Sequence, residues 1–149
     1  MSNNWIHKGK IVEQAPEGAF GFIYEIVNKT TGKRYIGRKY LATTKRKPLT
    51  KAQKAKGRTR RDVVRGESNW RSYQGSCKPL LADIKAIGKE NFTFEILAFA
   101  ETKGQINYLE MYYQFVHHAL LDSNYYNDAI GSNKFSTIKD PEKILELIK

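Results

Sequence analysis

Between Gly21 and Arg38 the chain reads Gly-Phe-Ile-Tyr-Glu-Ile-Val-Asn-Lys-Thr-Thr-Gly-Lys-Arg-Tyr-Ile-Gly-Arg, and no other run constrains the fold as strongly. Phe20 to Val27 is rich in aromatic and β-branched residues, an Asn/Thr/Gly turn follows, and Lys33 to Ile36 resumes the pattern. The expectation is an antiparallel hairpin with Tyr24 and Tyr35 on facing strands, close enough for both phenols to reach one group. Taken alone, the pattern also fits an ordinary hairpin with core tyrosines.

The remaining periodicities complete an α+β layout. In Pro79 to Gly88, Leu80, Leu81, Ile84 and Ile87 recur at three and four residues; Ser76 is a candidate N-cap and Gly88 a natural stop. Phe92, Phe94 and Ile96 alternate through Phe92 to Phe99, as in a half-buried strand. From Thr102 to Leu121 a long helix is expected with Ile106, Leu109, Tyr113, Val116 and Leu120 on one face and Glu110 on its flank, beside Gln114 and His117. Asp122 to Asn133 reads as a polar loop, and Asp140-Pro141 as the start of a final helix over 141–148. Residues 1–18 show no sustained period and are expected as a tail or edge segment. At 149 residues a single domain is expected, with its core over about 20–127. Its sheet is expected to have three antiparallel strands flanked by helices.

The formal net charge of +11, from 26 Lys and Arg against 15 Asp and Glu, exceeds what solubility requires and points to an anionic partner such as nucleic acid. The charge is concentrated, because between Arg38 and Arg65 Asp62 is the only acid among a dense series of lysines and arginines. Such a run repels itself, so about 44–66 is expected as a basic insertion, flexible or partly helical until phosphate neutralises it. Lys39, Lys54, Lys56, Arg58, Arg60, Arg61 and Arg65 are its candidate nucleic-acid contacts. A single cysteine, Cys77, excludes an internal disulfide and a cysteine-rich zinc site. No charged-then-apolar N-terminal signal and no apolar run of bilayer length is present, so no membrane partner is expected and the location is expected to be cytoplasmic.

Phe22-Ile23-Tyr24, with Gly21 just before it, and Tyr35-Ile36-Gly37 resemble the paired triplets of the GIY-YIG nuclease superfamily. Tyr73-Gln74-Gly75-Ser76, Leu80, Gly88 and Asn91-Phe92 are similar to the pattern of its phage-encoded members, homing-type ones included. The order of elements from Phe20 to Asn127 is also similar. The resemblance implies a metal-dependent DNA endonuclease, phage or mobile-element encoded and in that case acting in the host cytoplasm, as a monomer or weak dimer. It implies catalytic roles for Tyr24, Tyr35, Arg38, Arg46, Glu110 and Asn127.

Phosphodiester hydrolysis requires an activated water, stabilised phosphoryl oxygens and help for the departing 3′ oxygen. On the resemblance Glu110 is the ligand for Mg²⁺ or Mn²⁺, which accept one carboxylate and complete their shells with water and phosphate. One of Tyr24 and Tyr35 activates or positions the water, and Arg38 is the expected source of the charge that favours a phenolate. Arg38 and Arg46 would fork onto the scissile phosphate. Arg46 follows the second triplet at roughly the family spacing, yet Pro48 interrupts any helix there, which leaves Arg58, Arg60, Arg61 and Arg71 as alternatives. Asn127 either hydrogen-bonds around the site or fixes its loop. His117 and His118 read as structural, and Trp70 and Tyr73 either pack on the first helix or stack on a base. The rival reading is a non-catalytic nucleic-acid binder on the same fold; an RNA-binding protein is favoured by charge alone.

Overall fold

The computed structural model describes residues 5–130, 135–136 and 142. In chain order the strands and helices are β1 (Trp5–His7), β2 (Lys10–Ile11), β3 (Gly21–Asn28), β4 (Arg34–Tyr40), β5 (Ala42–Arg46), α1 (Lys51–Ala55), β6 (Val63–Glu67), α2 (Lys78–Ile87), β7 (Phe92–Ala100), α3 (Lys103–Val116), β8 (Ala129–Ile130) and β9 (Phe135–Ser136). The helix expected over 141–148 lies outside the described residues except for Glu142.

The expected hairpin forms, with Tyr24 opposite Gly37 and Ile26 opposite Tyr35. Asn28 builds its turn: its side-chain oxygen accepts from the backbone N–H of Thr30 and Thr31 at 3.0 and 3.3 Å, and Gly32 takes a φ of 78°. β7 joins β3 antiparallel, giving the three strands that the sequence predicts. The sheet is wider than expected, however. Its order is β2-β1-β7-β3-β4, because Trp5 and Ile6 pair in parallel with Phe94 and Glu95. The first residues are thus edge strands, fastened by Trp5, which is fully buried. Its indole N–H donates to the Trp70 carbonyl at 2.6 Å, and its ring packs edge-on against Phe22 and Phe94.

Each face of the sheet has its own core. On one, Phe22, Tyr24 and Ile26 meet Trp5, Trp70 and the α2 residues Leu80 and Ile84. On the other, Ile23 and Ile36 meet Ile106 of α3. A bulge in β7 opposite Ile23 and Tyr24 shifts the alternation by one residue, so Ala98 pairs with Ile23 and Phe99 with Phe22. Gly21 permits the close approach of α3, since a Cβ there would fall 2.5 Å from Ile106 and 2.6 Å from the Lys39 carbonyl.

Two helix ends differ from expectation. Cys77, rather than Ser76, occupies the N-cap position of α2, with Pro79 in its first turn; Gly88 ends it at a φ of 93°. α3 begins at Lys103 behind a Thr102 cap, where the helix was expected to start, but stops at Val116, five residues short of Leu121. There His118 takes a φ of 56°, and the N–H groups of Ala119 and His118 return to the Gln114 and Phe115 carbonyls. The His117 ring stacks on Tyr113, as expected of a structural residue.

The basic insertion is also more ordered than its charge suggested. β5 and β6 pair antiparallel from Ala42–Glu67 to Arg46–Val63, and α1 lies in the connection under a Thr50–Gln53 capping box. Backbone pairing tolerates the like charges because the side chains of the ribbon project into solvent on both faces.

Candidate active site

The two tyrosine triplets meet at the outer edge strand of the sheet, β4. Tyr24 and Tyr35 lie on the α2 face, with ring centroids 6.2 Å apart and planes 13° from parallel. Arg38, opposite Ile23, lies on the α3 face, where its guanidinium is 3.6 Å from the Glu110 carboxylate. A cleft of about 990 Å³ wraps around this edge and is lined by Tyr24, Tyr35, Arg38, Glu110 and Asn127. Gly37 makes the passage possible: a Cβ there would sit 2.5 Å from the Tyr24 hydroxyl oxygen and 2.6 Å from its Cζ. The second-triplet glycine is therefore the seat of the first-triplet tyrosine.

Five of the six sequence-predicted catalytic positions line this cleft. Arg46 does not; it lies on β5 and borders another cavity together with Arg60 and Arg61. Among the alternatives, Arg58 pairs with Asp62, and Arg71 pairs with Glu67 at 3.2 Å while covering the Trp70 ring. Arg71 thus braces the root of the hairpin. Asn127 fixes its loop: its amide oxygen accepts from the Ile36 N–H at 3.0 Å and its amide nitrogen donates to the Ile36 carbonyl at 2.8 Å.

Three further residues enter the cleft, of which Asn107 was not named from the sequence and Gln114 and Tyr73 were given no catalytic-site role there. Asn107, one turn before Glu110 on α3, accepts a hydrogen bond from Arg38. Gln114, one turn after Glu110, donates to the Ile36 carbonyl at 3.0 Å, and its Oε1 is buried without a hydrogen-bond partner. Helical spacing from Glu110 is the signal by which both could have been found. Tyr73 also enters the site, edge-on to Tyr24, with the Lys39 ammonium 4.1 Å over its ring. Trp70, by contrast, is core.

Electrostatics bear on the expected phenolate. Tyr24 is 1 % exposed, and burial, followed by the nearby phenols of Tyr73 and Tyr35, pushes its pKa well above the usual phenol value. Burial also raises Tyr35, to about 12, with the Cys77 and Glu110 charges adding to the effect. Arg38, the expected promoter of a phenolate, faces Glu110 instead, so both phenols are held neutral. The Glu110 carboxyl is raised by burial and pulled back by Arg38. Burial lowers Lys39, whose ammonium donates to the Asn69 side chain at 2.8 Å.

The donor chemistry of the cleft suits a hard cation. Its available acceptors are oxygens, namely the Glu110 carboxylate, the unpartnered Gln114 oxygen and the rim carboxylate of Asp128. No cluster of three metal-ligating side chains occurs among the described residues, so an ion here would take much of its shell from water and phosphate.

The chain matches the family model of the GIY-YIG domain of putative endonuclease segE over residues 5–130. No curated protein and no solved structure matches it. No helix among the described residues is long and apolar enough to cross a membrane.

Proposed function

The chain belongs to the GIY-YIG endonuclease family of the segE type, and from that premise we propose that it hydrolyses phosphodiester bonds of DNA in a reaction dependent on Mg²⁺ or Mn²⁺. The observation that carries the proposal is the convergence of Tyr35, Arg38 and Glu110 around one edge strand in a single polar cleft. Glu110 would hold the ion, with the Gln114 oxygen at hand. Once bound, the ion supplies positive charge to the scissile phosphate and the departing 3′ oxygen.

The side chains divide the remaining work. Arg38 carries the planar fork that matches two phosphate oxygens, and Asn107 holds it aimed across the cleft. Tyr35, more open than Tyr24, orients the attacking water as a neutral hydroxyl that both donates and accepts. Tyr24 lies beneath it as a support, packed edge-on against Tyr73. Asn127 and Gln114 clamp the Ile36 peptide and so fix Tyr35 and Gly37 on either side of it. Arg46 has no part in the chemistry of this reading. It joins Lys39, Lys54, Lys56, Arg58, Arg60, Arg61 and Arg65 as a contact to the DNA. The phage-like pattern of Tyr73 to Ser76 extends the proposal to a phage or mobile-element enzyme working in the host cytoplasm.

A second reading, a binding protein without catalysis, is favoured by one observation: Arg46, the second arginine expected at the scissile phosphate, lies outside the cleft. Supercoiled plasmid incubated with Mg²⁺, with Mn²⁺ and with EDTA separates the two. Nicked or linear product that appears only with metal is expected. Intact plasmid under all three conditions, with the DNA bound, would establish the binding protein instead.

A further inference from the structure

The β5–β6 ribbon packs on nothing, since every residue of both strands is exposed. A free two-stranded hairpin is marginally stable in water, yet this one is firmly rooted. The Ser68 N–H donates to the Leu41 carbonyl at 2.9 Å and its hydroxyl to the Tyr40 carbonyl at 2.7 Å. The segment from Ala42 to Glu67 holds ten lysines and arginines against two acids, a net +8 of the chain's +11. A rooted projection with no core and most of the positive charge is built to enter something anionic.

Its two ends differ in chemistry. At the outer end Arg46, Arg60 and Arg61 border a cavity of about 480 Å³ whose lining includes no acid. Nearer the root, paired residues share a face, so Thr44 and Arg65 point the same way as Arg46 and Val63. A hydroxyl, a guanidinium and valine methyls are the groups that read guanine N7 and O6 and the thymine methyl. A further cavity of about 460 Å³ shares Arg38 and Tyr73 with the catalytic cleft and continues along Lys39 to Thr44. Cleft and root thus form one lane along β4 into the start of β5, and the outer cavity follows two residues further along β5, at Arg46.

We propose that the β5–β6 ribbon is a reading arm that lies in the major groove of duplex DNA. Thr44, Val63 and Arg65 face base edges, while Arg46, Arg60 and Arg61 close on a backbone phosphate beside the groove. The major groove, ~12 Å wide, admits a two-stranded ribbon. The inference rests on the reading of the cleft as a DNA site, and adds to it a recognition function and a distance. Arg38 and Arg46 are eight residues apart, which at ~3.3 Å per residue is at most ~26 Å. At ~3.4 Å per base pair, the bases read lie within about eight base pairs of the bond addressed by the cleft.

The test uses the full chain carrying Glu110→Gln, so that bound DNA stays whole. Duplexes are selected from a random pool and probed by dimethyl sulfate interference. Methylation at guanine N7, in the major groove, is expected to block binding at a few positions. Arg65→Ala and Arg65→Lys should both relax the preference there, the lysine variant with its salt dependence intact. Arg60→Ala with Arg61→Ala should weaken all sequences alike and reduce the salt slope by about one unit per arginine. Interference at adenine N3 alone, an unaltered preference in the Arg65 variants, failure to bind DNA, or preference for duplex RNA, whose major groove is too narrow, would each overturn the arm. Guanine interference together with an uncut plasmid for the unmutated protein would instead retain the arm and remove the nuclease reading.

Discussion

Gly37 and Tyr24 occupy one space, with backbone hydrogen where any other residue would put carbon. The phenol thereby lies under β4 with its ring edge-on to Tyr73, while Tyr35 opens towards the cleft. Tyr35→Phe should therefore lower the cleavage rate ~10²-fold or more, as expected for loss of a group that handles the proton of the nucleophile. Tyr24→Phe should cost ~1 kcal/mol of stability and a smaller share of the rate. Single-turnover kinetics with urea melts on both variants measure this, and a larger rate loss for Tyr24→Phe would exchange the two roles. Glu110 carries a pH signature. Burial favours its protonated form in the fold, so its contribution to stability is full below the unfolded pKa of ~4.3 and is lost as pH rises through the raised folded value. Glu110→Gln should accordingly raise Tm at neutral pH and leave it unchanged below that unfolded value. In the parent protein without metal, an NMR titration of the Glu110 carboxyl should give a midpoint above the ordinary glutamate range; a midpoint at or below it would mean that Arg38 outweighs burial. The sequence disclosed Tyr24, Tyr35, Arg38 and Glu110 through residue type and spacing. It did not disclose the state of the phenols, because burial by Trp5, Tyr73 and α2 is assembled from distant segments.

At the scale of elements, local pattern was legible and long-range pairing was not. β3, β4 and β7 announce themselves by β-branched and aromatic runs, and α2 and α3 by their three-and-four spacing. β1 has three residues and no period, and its partner lies nearly ninety positions away in the chain, so nothing local marks it as a strand. Trp5 nonetheless holds that edge. Trp5→Ala should destabilise by ~3–5 kcal/mol, the range for removal of a buried aromatic, since the indole also loses its bond to the Trp70 carbonyl. Chemical denaturation measures it; a loss below about 1 kcal/mol would show β1 to be a dispensable tail. The bulge in β7 was equally hidden, because Phe92, Phe94 and Ile96 keep strict alternation up to the point where it occurs. The charged insertion misled in the other direction. Its density of lysine and arginine argued for a mobile segment, whereas a ribbon satisfies its backbone across the strands and leaves every charge in water.

For the whole molecule, the sheet presents different chemistry on its two sides and the cleft lies where they meet. The phenols belong to the α2 layer and the acid and guanidinium to the α3 layer, so neither layer alone holds a site. The ribbon follows β4 in the chain and carries most of the net charge, so on the proposed reading one part of the molecule cuts and another holds. These two capacities should separate under mutation. The most direct measurement is cleavage of supercoiled plasmid in Mg²⁺ by Glu110→Gln beside the unmutated chain, with DNA affinity measured on the same samples. The account predicts metal-dependent product from the unmutated chain, a loss of at least ~10²-fold in the variant, and DNA affinity unchanged within a factor of about three. Undiminished cleavage by Glu110→Gln would contradict it.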